Sequence, residues 1–249
     1  YKSVWKSTNK GTDWTKISTF SNSTSLSYLH VASANSDYIY TGRNGAMWKT
    51  TDGGSNWSSV SLPSGVQSIT YMASNHSDAN EIWVSSSGYS SGNKVFHSTN
   101  GGSSWTNISG SLPNVPCNTI VYQPNAEDRV WVGTDIGVWY RGDNDNDWQA
   151  YNEDLPNVIC NELEIYENGD KLRLASYGRG LWEVNLPAEQ PDPPVLNTPA
   201  NASITIEIDV DVTWNAVQDA DSYILQVSTD ANFNTTVVNE SGIAGTSYD

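Results

Sequence analysis

The sequence predicts an all-β protein made of repeated four-stranded units, followed by a second, smaller β unit. Three observations carry this. First, Trp14, Trp57, Trp105 and Trp148 recur at steps of 43, 48 and 43 residues, each closing a turn-rich octet. Second, an aromatic residue (Trp5, Trp48, Phe96 or Trp139) stands nine residues before each of them, and Trp182 continues that series. Third, Tyr40, Trp83, Trp131 and Leu174 stand twenty-six residues after the same four tryptophans. A fixed period of this length means stacked supersecondary units. The five-residue excess of the longer step falls entirely between Trp83 and Phe96.

Each repeat reads as four strands. Strand A covers 27–31, 68–72, 119–123 and 162–166. Strand B carries Tyr40 and its equivalents, and strand C carries Trp48 and its equivalents. Strand D starts at the octet tryptophan. The segments are short, aromatic and β-branched, with Gly, Asn, Asp and Ser clusters around them. None has a helical period. Four strands in about 43 residues match one blade of a β-propeller.

The octets have a local account. Ser7, Asn9, Gly11 and Trp14 recur as Thr50, Asp52, Gly54 and Trp57, then as Ser98, Asn100, Gly102 and Trp105. The fourth copy keeps only Asp143 and Trp148. The hydroxyl and the Asp or Asn oxygen accept backbone N–H groups inside a C–D hairpin. Glycine supplies a positive φ, and tryptophan packs between sheets.

The chain starts within a blade, at strand C, and the last blade, 162–186, has strands A, B and C without an octet. That pattern expects a propeller truncated at its N-terminus, with further blades and domains of the same polypeptide as its partners and the outer strand supplied from elsewhere. Thus 1–186 reads as propeller blades and 187–194 as a proline-rich, stiff spacer. Residues 195–249 read as the first half of a β-sandwich module, with Trp214 and Tyr223 in its core. Alternating runs such as 209–214 and 222–227 support strands there.

Net charge is −16, from 12 basic and 28 acidic residues. That field repels phosphate backbones, so nucleic acid is not an expected partner. It also excludes polybasic attachment to a membrane surface. No apolar run is long enough to span a bilayer. The two cysteines, Cys117 and Cys160, lie 43 residues apart and so occupy equivalent positions at the start of strand A in adjacent blades. Two readings stand: a disulfide across the blades, or two buried thiols.

The octets resemble the Asp-box (BNR) motif, with Thr50, Asp52, Gly54 and Trp57 nearest to it; copies one and three carry Asn9 and Asn100 at the aspartate position. Asp-box propellers occur in sialidases, xyloglucan-cleaving glycosidases, sortilin-like receptors and secreted bacterial surface proteins. The segments 132–139 and 176–182 resemble BNR-repeat proteins of Bacteroidota, and the second unit resembles a fibronectin type III module. The resemblance implies a secreted or cell-surface protein exported by a type IX system, with secretion machinery as a partner.

The loops joining strands B to C and D to A form the usual binding end of a propeller. Candidate ligand residues there are Arg43, Asn44, Tyr89, Asp135, Tyr177 and Arg179. Tyr89 sits in loop 86–93, where the one local departure from the period falls. An aromatic, a guanidinium and carboxylates around a shallow funnel suit a glycan or a surface protein ligand. Catalytic residues are not assigned: a glycosidase needs two spaced carboxylates, and Asp135 is the acid placed near the mouth. The hydrolase alternative, sialidase- or xyloglucanase-like, therefore puts its acids in other blades; a third reading is an accessory region of a secreted peptidase. His30, His76 and His97 lack metal-ligand spacing. Asp143, Asp145 and Asp147 resemble a calcium loop, but they stand where an octet belongs, which favours a decayed turn. No other cofactor is expected.

Overall fold

A computed structural model describes residues 2–18, 20, 25–43, 45–124, 129–143, 145–166, 171–186, 194–200, 211–217 and 220–248. It separates into two compact units, Tyr1–Pro187 and Ala188–Asp249. All regular elements among the described residues are strands.

The first unit is a series of antiparallel meanders. It opens with β1 (Trp5–Lys6) paired to β2 (Thr15–Lys16). One four-stranded sheet follows from β3 (Tyr28–Val31), β4 (Ile39–Arg43), β5 (Ala46–Thr50) and β6 (Ser58–Val60). The next has β7 (Ile69–Ser74), β8 (Ile82–Ser86), β9 (Val95–Ser98) and β10 (Thr106–Asn107). The third has β11 (Cys117–Gln123), β12 (Arg129–Thr134), β13 (Gly137–Arg141) and β14 (Gln149–Ala150). A three-stranded sheet closes the unit, with β15 (Cys160–Tyr166), β16 (Lys171–Ser176) and β17 (Gly180–Asn185). These are propeller blades, as the period predicts. The outermost strand, however, begins one residue after each octet tryptophan rather than on it, because the tryptophan still belongs to the turn.

The core lies in the seams between blades. Trp83, Val95, Ile120, Val132 and Trp148 fill one seam. Tyr40, Met47, Met72, Val84 and Phe96 fill the seam before it, and Trp131, Val138, Leu163 and Leu174 the one after. This explains the burial of the second strands. Both β8 and β12 are buried at every position, covered by a blade on each face, whereas β16 alternates. Trp131 and Tyr40 are fully enclosed, and truncating a side chain of this kind costs about 3–5 kcal/mol.

The octets are hairpins that repeat one hydrogen-bond pattern. In the second, Thr50 Oγ1 accepts from Gly54 N at 3.0 Å, and Asp52 Oδ1 accepts from Asn56 N at 2.8 Å. In the first, Ser7 Oγ accepts from Gly11 N at 2.7 Å, and Asn9 Oδ1 accepts from Asp13 N at 2.9 Å. In the third, Ser98 Oγ accepts from Gly102 N at 2.8 Å, and Asn100 Oδ1 accepts from Ser104 N at 2.9 Å. Gly54 has φ +99°, and a Cβ there would stand 2.7 Å from Ile17 of the preceding blade. Gly102 has φ +82° and meets Val60 in the same way. These glycines thus serve both the turn and the seam. The tryptophans reach across as well. Trp57 Nε1 donates to Ile17 O at 2.7 Å, Trp105 Nε1 to Ser61 O at 2.8 Å and Trp148 Nε1 to Ile108 O at 2.6 Å.

In the fourth copy Asp145 Oδ2 accepts from Gly142 N, while Asp147 Oδ1 accepts from Ser111 N and Trp148 N. Its carboxylates are engaged in the turn and the seam. Among the described residues no group of three or more His, Cys, Asp and Glu is gathered as metal ligands.

The second unit pairs β18 (Leu196–Thr198), β19 (Val212–Trp214) and β22 (Ser247–Tyr248) in one sheet. β20 (Tyr223–Val227) and β21 (Val238–Ile243) form another. Trp214 is 6% exposed, and its ring meets Tyr223 edge-on at 5.4 Å. The expected spacer at 187–194 lies outside the described residues except for Pro194.

Candidate functional site

The up-and-down order places every B–C loop at one end of the blades, beside the start of strand A of the same blade. Backbone bonds fix that adjacency. Ser87 N donates to Ser68 O, Asp135 N to Pro116 O and Tyr177 N to Ile159 O. This loop end presents aromatic rings to solvent: Tyr89 is 71% and Tyr177 72% exposed. Gly178 and Gly180, both at positive φ, form the tight turn that carries exposed Arg179. Asp135 accepts from Asn118 Nδ2 at 2.9 Å, so its carboxylate is oriented by a residue of β11.

Arg43 departs from the expectation. Its guanidinium lies over the Trp48 ring at 5.3 Å, and Nη1 is enclosed without a hydrogen-bond partner. Trp48 in turn stacks on Phe20 at 4.8 Å. The cation is folded onto its own sheet, because cation–π contact is worth most where water is excluded. Asn44 lies outside the described residues.

Sequence reasoning missed Lys94, which holds the loop carrying Tyr89. Its side chain is 1% exposed, and Nζ donates to Gly88 O at 2.6 Å. Burial lowers its pKa. Ser86 N also donates to Lys94 O, closing the base of the loop. The only sequence signal was a lysine directly after the inserted segment. Beside it lies Cys117. Both Cys117 and Cys160 are free thiols with no exposed surface, and burial pushes them up to about 12 and about 11. Of the two readings left open, the structure shows buried thiols.

A second feature is an open cleft of about 470 Å³ along the inner strands, lined by His30, His76, Tyr71, Glu162 and Glu164 among others. His30 Nε2 and Ser74 Oγ share a hydrogen bond at 2.9 Å. Burial, then the nearby His76, lowers His30 to about 4. Tyr71 is bonded to Glu162; burial first and then this carboxylate raise the phenol to about 12. The 44-residue separation of Ser74 and His30 hides the cleft from any local motif. His97 lies elsewhere, stacked on Trp83 and bonded to Glu81 at 2.9 Å.

No curated protein matches the chain. Among solved structures, the fold is similar to that of a GH74 enzyme of Niastella koreensis, at 15% identity and TM-score 0.53, covering 64% of this chain and 28% of that one. An ancestral GH74 enzyme is similar at 19% identity and TM-score 0.56, covering 100% and 36%. YCF48 bound to D1 peptide is similar at 17% identity and TM-score 0.50, covering 72% and 59%. The chain thus spans less than two thirds of each of these structures, and at such identities the likeness establishes the propeller fold alone. No helix among the described residues is long and apolar enough to cross a membrane. The profile described as "Sortilin, neurotensin receptor 3" matches residues 2–131, which is over half of the 249 residues. The repeated octets, the four-stranded blades and this match together show that the chain belongs to the Sortilin-Vps10 family.

Proposed function

We propose that the propeller unit is a recognition scaffold whose B–C loop end binds glycan chains at the cell surface or after secretion. The observation that carries this reading is the pair of solvent-facing rings, Tyr89 and Tyr177, at 71% and 72% exposure on equivalent loops. A flat ring with a polar tip suits a sugar face, and loops on a rigid scaffold are where binding residues concentrate. Asp135, oriented by Asn118, and Arg179 supply hydrogen bonds around them. The second unit, read as a fibronectin type III-like spacer, would hold this face away from its anchor. Export by a type IX system follows from the resemblance to Bacteroidota surface proteins. A glycan array probed with the 249-residue chain tests the proposal. Binding to defined oligosaccharides is expected, and it should fall at least about tenfold in Tyr89→Ala and Tyr177→Ala. An array with no specific signal contradicts it.

A hydrolytic reading has one observation in its favour. Glu162 and Glu164 both line the inner cleft. As i and i+2 on one strand they lie on one face of the sheet, and a glycosidase needs two carboxylates facing its cleft. Release of reducing ends from xyloglucan, lost in Glu162→Gln, would favour this reading over simple binding. Intact polysaccharide after prolonged incubation would remove it.

A further inference from the structure

Loop 86–93 is longer than the equivalent loops of the other blades, and the residue beneath it differs as well. Two positions before the strand-C aromatics Trp48, Phe96, Trp139 and Trp182 stand Ala46, Lys94, Gly137 and Gly180. Three blades thus carry a methyl group or a hydrogen at this position. The blade with the five extra residues carries a four-carbon stem ending in an ammonium. That side chain is enclosed: Lys94 is 1% exposed, and Nζ donates to Gly88 O at 2.6 Å. Burying an ammonium is costly even when it is bonded, and an apolar residue would fill the space without that cost. What the ammonium adds is a donor.

The donor acts at the centre of the loop, and other bonds tie its two shoulders. Gly88 turns at φ +97°, and a Cβ there would collide with Gln67 Oε1, so the backbone runs close against the connection into β7. Its carbonyl faces the buried ammonium, and a buried acceptor left without a donor destabilises the fold. On the β8 side Ser87 N donates to Ser68 O at 2.9 Å, and Ser86 Oγ accepts from Gln67 N at 3.3 Å. On the β9 side Asn107 Nδ2, from the outermost strand, donates to Gly92 O at 2.7 Å. Asn93 Nδ2 donates to Ser90 Oγ at 3.1 Å. Tyr89 follows directly after the carbonyl that Lys94 holds, and it stands 71% exposed. The backbone is held on both sides of an aromatic side chain that is left free for contact.

We propose that Lys94 is a positioning residue of the loop-end site, whose buried ammonium fixes Tyr89 in the arrangement that meets the ligand. The proposal rests on the glycan reading of that face. Lys94 touches no ligand. It acts through Gly88, so the Tyr89 ring meets a sugar without the loop first having to be ordered. A preformed contact of this kind loses less conformational freedom on binding and so gains affinity. The longer loop and the lysine are one device: the extra residues carry the ring outward, and the ammonium keeps it in place.

The test is a double-mutant cycle read by isothermal titration of the 249-residue chain with xyloglucan oligosaccharides, joined to hydrogen exchange of the ligand-free proteins. Lys94→Met keeps a long stem and removes the donor. It should weaken binding about tenfold in the parent and in Tyr177→Ala. In Tyr89→Ala, where there is no ring to position, it should weaken binding by less than about twofold. A lysine that only stabilises the fold would weaken all three backgrounds alike. In the free protein the amides of 87–93 should exchange about tenfold faster in Lys94→Met, with those of β8 and β12 unchanged. Asn107→Ala, at an exposed position, loosens the same loop from its β9 shoulder and carries the same expectations should Lys94→Met fail to fold. An equal loss in the Tyr89→Ala background, no loss in the parent, or unchanged exchange at 87–93 overturns the proposal. A parent chain that binds no oligosaccharide removes the glycan reading instead, and exchange then decides the role of Lys94. Faster exchange confined to 87–93 keeps it as the anchor of Tyr89; unchanged or molecule-wide exchange overturns it.

Discussion

The indole Nε1 of Trp148 donates to the carbonyl of Ile108, 40 residues earlier, at 2.6 Å. Trp148 is 6% exposed, whereas Trp14 is 59% exposed and bonds back to Gly11 O within its own turn. One motif residue therefore has two energetic roles. Trp148→Phe keeps most of the packing and removes one of two bonds to that carbonyl, Arg141 Nη1 keeping the other at 3.2 Å, at a cost of about 0.5–1.5 kcal/mol. Trp14→Phe should change stability by less than about 0.5 kcal/mol. Urea midpoints of the two variants measure the difference.

The turns also pair chemistry across positions three and seven. Asp52 accepts from the Asn56 amide, while Asn9 donates to Asp13 and Asn100 donates to Ser104. Bonds from Asn56, then from Thr50, hold the Asp52 carboxyl at about 2, below its ordinary 3.8. A depressed folded-state pKa stabilises above the unfolded value and is lost as pH falls through the folded one. The contribution of Asp52 should therefore fade between about pH 4 and pH 2. Asp52→Asn should remove that component and flatten the profile between about pH 4 and pH 2. Melting temperatures at pH 7 and pH 3 check both.

His30 gives a second acid response, at higher pH. Its folded-state value of about 4 lies below the ordinary 6.5, so the unfolded chain takes up the proton first. Stability should fall as pH drops from about 6.5 towards 4. His30→Gln, which can still bond Ser74, should flatten that part of the profile in equilibrium unfolding.

Gly54 and Gly45 separate seam from turn. Both have positive φ, but a Cβ at Gly54 meets Ile17 at 2.7 Å and one at Gly45 meets nothing within 4 Å. Gly45→Ala should cost about 1 kcal/mol from the left-handed backbone. Gly54→Ala should cost about 1–3 kcal/mol more, because the blades must move apart. Thermal denaturation of the pair reports the difference.

The thiols should be silent in the folded protein. Cys117 and Cys160 are fully enclosed and held protonated at neutral pH by burial, and the thiolate is the reactive form. A thiol reagent should label neither residue natively and both in denaturant without reductant. Failure to label in denaturant would indicate a disulfide.

The repeat was legible because each blade must bury its faces on its neighbours. That demand fixes large residues such as Trp83 and Trp131 at constant intervals. The octets were legible because their bonds span at most four residues. The site was legible only in part. Tyr89 and Tyr177 follow from loop position, yet the fold of Arg43 onto Trp48 depends on a contact that no spacing reveals. Lys94 and the His30–Ser74 cleft depend on burial and on a 44-residue separation, neither of which a local pattern encodes.

Ligand recognition by the loop end of the propeller is proposed to run through Tyr89 and Tyr177. Isothermal titration of the 249-residue chain and its Tyr89→Ala/Tyr177→Ala double variant with xyloglucan oligosaccharides measures this. Saturable heat from the parent chain, lost in a double variant that melts at the parent temperature, is the predicted result. Equal binding by both proteins, or no heat from either, would contradict it.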